Sequence, residues 1–294
     1  METLGIGELA RLTRVSVRTL RFYCDTGIIK PTRSTGGHRR FDAGAVDKVR
    51  LVRRLRGLGL GLPVITDVLG GQRSVAEAVA AARAELDVEL ASMAWRRASL
   101  VAVEQAPPAV RAARLDLLAA VESGRAAFDA LVAFWRPALA YDIALDSFVT
   151  MSVPEPPVDP TPAQVVAYAE MVAVTADRSL SRPRRPDRRV VDMEALMGGV
   201  DKVLTEAASL VASGATPGPD PLLDDFVTAH AAGVGAQDGP VFRRELLHVL
   251  KVDRDPRLRR YWRLYGELTG EDVPVGVTHT WLVDALAESV ARQS

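Results

Sequence analysis

The stretch VSVRTLRFYCDTGIIKPTRSTGGHRRF, residues 15–41, decides how this chain is read. Ser16 is an N-cap residue type, with a hydroxyl that can satisfy an orphan amide of a helix over 17–25. On that helix Val17 and Leu20 point inward, with Cys24 one turn beyond Leu20, so Arg18, Thr19, Arg21 and Phe22 are left outward. Gly27 ends the helix as a C-cap glycine. Two short extended pieces follow, 28–31 and 39–41, separated by Ser34-Thr35-Gly36-Gly37-His38, whose glycines permit a hairpin tip.

Working outward, residues 4–12 carry apolar side chains at Ile6, Leu9, Ala10 and Leu12, the spacing of a short helix, joined to the next by a tight connector at 13–15. Downstream, Asp42 caps a helix to about Gly57. Val46, Val49, Val52 and Leu55 lie on one side of it, and Arg50, Arg53, Arg54 and Arg56 on the rest. A shorter helix at 62–69 stops at Gly70-Gly71. Helix, tight turn, helix, glycine-tipped hairpin and arginine-rich helix make a winged helix-turn-helix, whose second helix exposes side chains to base edges. Arg18, Thr19 and Arg21 are placed for that role, with Phe22 available to a thymine methyl and Tyr23 to a phosphate. His38, Arg39 and Arg40 on the hairpin face the flanking backbone or minor groove. Arginine outnumbers lysine, and its planar fork suits guanine and phosphate. Taken singly, Arg50 or Arg53 is equally a solvated helix face, Tyr23 a half-buried packing residue, and Cys24 a small packed side chain.

Charge points the same way. The net charge of the chain is zero, yet residues 1–70 hold 13 Lys+Arg against 6 Asp+Glu, leaving 24 against 31 for the remainder. A module of net +7 is thus joined to a remainder of net −7, an asymmetry typical of nucleic-acid binding. The single cysteine excludes an intramolecular disulfide and any site built from several thiolates of one chain. No signal peptide and no apolar run near ~20 residues is visible, so a cytoplasmic location without membrane association is expected.

From Ser74 to Gln105 there is no proline or glycine. Apolar residues recur at Val75, Val79, Ala82, Leu86, Leu90, Met93, Leu100 and Val103, with Arg97 filling one expected apolar slot. A helix this long reads as a coiled-coil strand, with Val79, Leu86, Leu90, Met93 and Leu100 as the dimerisation residues. Pro107-Pro108 ends it. Beyond lie helices punctuated by proline and glycine, at about 108–123, 125–135, 137–150, 163–181, 190–213, 220–232, 239–252, 256–268 and 279–292, with loops at 154–162 and 181–187. The fold class is mainly α, with three parts: 1–73, a winged helix-turn-helix; 74–106, a dimerisation helix; and 107–294, an all-helical effector-binding or interaction domain.

Residues 6–69 resemble the DNA-binding domain of the mercury-resistance (MerR) regulator family. The pieces that carry the resemblance are IGELA, VSVRTLRFY, GIIKP, GGHRRF and RRLRGLG, in that order. The resemblance implies a homodimer whose long helices pair antiparallel and set two winged domains on a near-palindromic operator. It implies double-stranded promoter DNA and RNA polymerase as partners, and activation by bending and untwisting an over-long promoter spacer. It places a phosphate-holding basic residue at Arg56, and a two-state relay from an effector bound by the C-terminal domain. The chain departs from the known sensors of that family. It lacks cysteines at the end of the dimer helix, a cysteine cluster for iron–sulfur, an Asp-x-His-x-x-Gly motif and a β-rich effector domain. No metal and no cofactor is therefore expected.

For a small organic effector the candidates are Trp135, Tyr141, Tyr261, Trp262 and Tyr265. The run RRYWRLY at 259–265 sets arginines beside aromatics, as a flat or anionic ligand requires. The same spacing describes the core face of an amphipathic helix. Two further readings stay open. A ligand-independent regulator would use the helical domain for oligomerisation or a protein partner. An enzyme fused to a DNA-binding module would need a catalytic motif, and no Gly-rich phosphate loop, HExxH, GxSxG or paired-cysteine motif is present. His230 and His248 are too far apart in sequence to suggest a metal site, and the run 182–189 (RPRRPDRR) reads as a solvated linker.

Overall fold

The computed structural model describes residues 3–33, 38–136, 145–180, 190–218 and 220–292. The hairpin tip 34–37, Tyr141 and the run 182–189 lie outside the described residues. The chain forms two compact units, Met1–Glu89 and Leu90–Ser294, and the boundary falls inside one long helix.

The first unit opens with strand β1 (Leu4–Gly5) and helix α1 (Ile6–Thr13). Arg14 then takes a left-handed conformation, φ 56° and ψ 38°, and its amide reaches the Ala10 carbonyl. That single left-handed residue lets the chain reverse in three residues. Ser16 starts helix α2 (Val17–Asp25), its Oγ accepting the Thr19 amide at 3.1 Å. Strands β2 (Thr32–Arg33) and β3 (Arg39–Phe41) follow, with β3 central in a three-stranded antiparallel sheet of order β1-β3-β2. Thr32 pairs with Arg40, and Leu4 with Phe41. This corrects the expected hairpin: its first arm is Thr32–Arg33, because Ile28 and Ile29 are drawn into the core, and residues 4–5 add a third strand.

Asp42 Oδ1 accepts the Ala45 amide at 2.9 Å and launches helix α3 (Gly44–Gly57). Helix α4 (Leu62–Leu69) follows with Pro63 in its first turn, where a missing N–H costs nothing. Leu9, Leu20, Tyr23, Ile28, Ile29, Phe41, Val49, Val52, Leu55, Leu60 and Ile65 form the core that α5 joins through Ala78.

Helix α5 runs Val75–Glu104, about 45 Å at 1.5 Å per residue. A reciprocal cap starts it: the Ser74 amide donates to Glu77 Oε2 and the Glu77 amide to Ser74 Oγ. Those bonds hold the Glu77 carboxyl below its ordinary value.

The second unit takes the end of α5, through Trp95, Ala98 and Ala102, into a core shared with α6 (Pro108–Ala119), α7 (Gly124–Trp135), α9 (Pro162–Thr175) and α13 (Pro256–Thr269). Helix α8 (Leu145–Ser152) leads into the Val153 edge of that core. A second cluster joins α10 (Met193–Ala212), α11 (Pro221–Gly233), α12 (Pro240–Leu250) and α14 (Val275–Arg292). Helices α10 and α11 approach so closely that a Cβ on Gly199 would stand 2.7 Å from the Ala229 side chain. Arg243 on α12 fastens this cluster, bonding Asp224 of α11, Asp238 and Ser289 of α14. The expected helices are found with ends shifted by a few residues. The largest described shift is at α9, which ends at Thr175 rather than 181; α14 begins at Val275 rather than 279, and the first part of the helix expected at 137–150 lies outside the described residues. Among the described residues no helix is long and apolar enough to cross a membrane.

Candidate nucleic-acid interface

Helix α2 is held by Leu20 and Tyr23, which belong to the core of the first unit. The opposite face presents Arg18, Arg21 and Phe22 to solvent, Phe22 being 47% exposed. Thr19 is half-buried and shares a 2.8 Å hydroxyl contact with Ser16, so the first turn of α2 is fixed before any ligand arrives. Tyr23 is 7% exposed, its ring packed in the core with the half-buried Cys24 beside it. An exposed phenylalanine beside a buried tyrosine, ring centroids 6.2 Å apart, offers an apolar surface to a groove at little ordering cost.

The wing is tied to α2. Arg39 donates to Asp25, the last residue of α2, at 2.8 Å. Arg40, opposite Gly5 and Thr32 on the central strand, is exposed, as is His38. Burial pushes the Cys24 thiol up, with Arg39 opposing and Asp25 adding to the shift, so this thiol is a poor nucleophile beside the wing.

Arg56 is exposed and its guanidinium donates to the Leu60 carbonyl at 2.9 Å, across the turn that joins α3 to α4. Arg53 was not separable from Arg50 and Arg54 by sequence. It donates to the Thr13 carbonyl at 3.1 Å, capping the end of α1 just before the Arg14 reversal. Only the packing of α3 against α1 could single it out.

Along α5 the expected dimerisation residues Val79, Leu86, Leu90, Met93 and Leu100 are all solvent-exposed, with Met93 at 57% and Leu100 at 64%. Val79, Leu86, Met93 and Leu100 are spaced by sevens, the repeat of a left-handed coiled-coil seam. Ala78, Trp95, Ala98 and Ala102 are buried against the chain's own units. This helix is therefore apolar on two faces.

Four of the five expected effector residues are brought together, Tyr141 lying outside the described residues. Trp135, Tyr261, Trp262 and Tyr265 stack at centroid distances of 5.3–5.5 Å in the core of the second unit. Trp135 Nε1 donates to the Tyr261 hydroxyl at 2.9 Å, and that hydroxyl donates to the Ser152 carbonyl at 2.6 Å. Burial pushes the Tyr261 phenol far above its ordinary value. The neighbouring arginines face outward onto carboxylates, Arg259 onto Asp284 and Arg260 onto Glu170. These four side chains form a packed aromatic core in which the Trp135 and Tyr261 polar atoms are hydrogen-bonded. Among the described residues no group of three His, Cys, Asp or Glu side chains is placed to hold a metal ion.

Residues 4–72 match the MerR HTH family regulatory protein family. Among curated proteins, the chain is similar to nodulation protein NolA of Bradyrhizobium sp. (strain NC92), 34% identical over 128 residues, which is 40% of this chain and 52% of that protein. It is similar to the HTH-type transcriptional regulator GlnR of Bacillus anthracis, 35% identical over 74 residues, 25% of this chain and 57% of that one. The mercuric resistance operon regulatory protein of Pseudomonas fluorescens is 36% identical over 70 residues, 24% of this chain and 49% of its own length. The chain spans about half or less of the length of the NolA proteins it matches. No solved structure matches the chain significantly.

Proposed function

With residues 4–72 a MerR-family helix-turn-helix domain, we propose that the whole chain is a dimeric, sequence-specific regulator of transcription that distorts a promoter spacer. The observation that carries this reading is the α2 face. Leu20 and Tyr23 fix the helix to a core while Arg18, Arg21 and Phe22 stand outward at its N-terminal half and middle, the part of a recognition helix that enters the major groove. Arg18, Thr19, Arg21 and Phe22 read base edges. Ser16 fixes their turn, and His38, Arg39, Arg40 and Arg56 hold the backbone on either side. Two such units on one duplex supply the contacts that offset the elastic cost of bending and untwisting it, which realigns the promoter for RNA polymerase.

Dimerisation rests on the exposed stripe of α5 spaced by sevens, Val79, Leu86, Met93 and Leu100. The C-terminal helical unit serves as the responsive part of the regulator, with a small organic effector as its input. A second reading is favoured by the sealed aromatic cluster. Because Trp135, Tyr261, Trp262 and Tyr265 pack on one another, with the Trp135 and Tyr261 polar atoms already bonded, the helical unit acts through oligomerisation or a protein partner, without a ligand. Footprinting of the purified chain on its own promoter tests the main reading. Protection of two half-sites, with hyper-reactive bases at the centre of the spacer, is expected. Uniform or absent protection at low salt refutes it. A thermal-shift screen of metabolites separates the two roles of the helical unit.

A further inference from the structure

The loop that joins α8 to α9, residues 153–161, packs along the side of α5. Tyr168 on α9 stacks on Trp95 at 5.7 Å and donates to the Pro154 carbonyl at 3.3 Å. Pro156 sits so close to the start of α7 that a Cβ on Gly124 would stand 2.7 Å from it. From that anchored base the loop reaches around the helix to its seam. Asp159 accepts a 3.1 Å bond from Arg97, the residue that fills an apolar slot between Met93 and Leu100. Its neighbour Val158 is 72% exposed. An exposed ion pair is worth little on its own, and a valine left mostly in solvent gains little from burial. Both gain value only if a partner covers them.

We propose that this loop is part of the surface on which a second copy of the chain docks, with Val158 as its apolar contact and the Arg97–Asp159 pair as its polar anchor. The inference rests on the dimer reading above and extends it from a helix pair to a three-part interface. Two observations select a second copy as the occupant. The loop is continuous with a seam whose seven-residue spacing fits a helix of the same kind. That helix is also self-complementary in net charge, −3 over 75–89 (Glu77, Glu85, Asp87 and Glu89 against Arg83) and +1 over 90–104 (Arg96 and Arg97 against Glu104). An antiparallel copy therefore brings its net-acidic half alongside the half that carries Arg97, which keeps its own Asp159 as partner.

Sedimentation equilibrium of the full chain tests this with three variants. Met93→Asp probes the helix pair; Val158→Asp and Asp159→Arg probe the loop. Far-ultraviolet circular dichroism and Trp fluorescence show that each variant is folded. The expected result is a dimer for the parent chain and a rise of tenfold or more in dimer Kd for each loop variant, with unchanged spectra. A dimer Kd within twofold of the parent for both loop variants, while Met93→Asp dissociates it, overturns the loop proposal and leaves the helix pair standing. A parent chain that stays monomeric overturns both.

Discussion

At the scale of single residues, the first unit divides its arginines by what they already hold. Arg18 and Arg21 are exposed on α2, whereas Arg53 is bonded to the end of α1 and Arg39 to Asp25. Arg18→Ala is expected to cost about 1–3 kcal/mol at one base pair per half-site and to relax preference there, measured by binding to a panel of operator variants. Arg56→Ala is expected to weaken all sequences alike and to reduce the slope of log K against log salt by about 1 per protomer. A uniform loss from Arg18→Ala would assign that side chain to phosphate instead. Stability gives a separate test at Arg14. Its left-handed backbone disfavours any residue with a branched β-carbon, so Arg14→Val is expected to lower unfolding free energy by about 1–2 kcal/mol, and Arg14→Asn to leave it unchanged or slightly higher. These roles were unevenly legible in sequence. Ser16, Asp42 and the outward arginines of α2 follow from local chemistry, because caps and helix faces are set within a few residues. Arg53 and the burial of Tyr23 depend on which helix lies across from them, and no local spacing carries that.

At the scale of elements, proline and glycine made most helix ends readable, since each removes a donor or favours a reversal at a definite place. Helix α14 is the informative miss. Its first residues, Val275-Gly276-Val277-Thr278, are poor helix formers, and a sequence reading starts the helix after them. Packing overrides propensity there: Trp262 of α13 lies against Gly276, where a Cβ would stand 1.7 Å from the indole ring. Gly276→Ala is therefore expected to destabilise the second unit by roughly 1–3 kcal/mol through overpacking, although alanine is the better helix former. A rise in stability would show that Trp262 can yield. The same core makes an alkaline prediction. Burial, with Glu271 nearby, pushes the Tyr265 phenol up to about 12, above its ordinary value near 10. The folded chain then holds a proton that the unfolded chain releases, so this contribution is complete below about pH 10 and fades as pH approaches 12. Tyr265→Phe is expected to flatten the fall in chemical stability between pH 10 and 12, followed by urea unfolding at each pH.

At the scale of the whole molecule, the zero net charge hides a module of +7 and a remainder of −7, and salt dependence should report the module alone. If Arg39, Arg40 and Arg56 each neutralise one phosphate, a monomer makes three such contacts and a dimer six. With about 0.9 counterions released per contact, the expected slope of log K against log salt is near −3 for one protomer and near −5 for two. The stripe from Val79 to Leu100 is left exposed among the described residues, so the steeper value is expected above the dimer Kd. It should fall to the shallower one on dilution or in Met93→Asp. That pairing of slope with oligomeric state is demanding, because a monomer with nonspecific lysine or arginine contacts elsewhere could reach −5 but would not lose it on seam disruption. A slope near −5 that survives Met93→Asp would place the additional cations outside the seam-paired copy and would remove the dimer from the account of DNA binding.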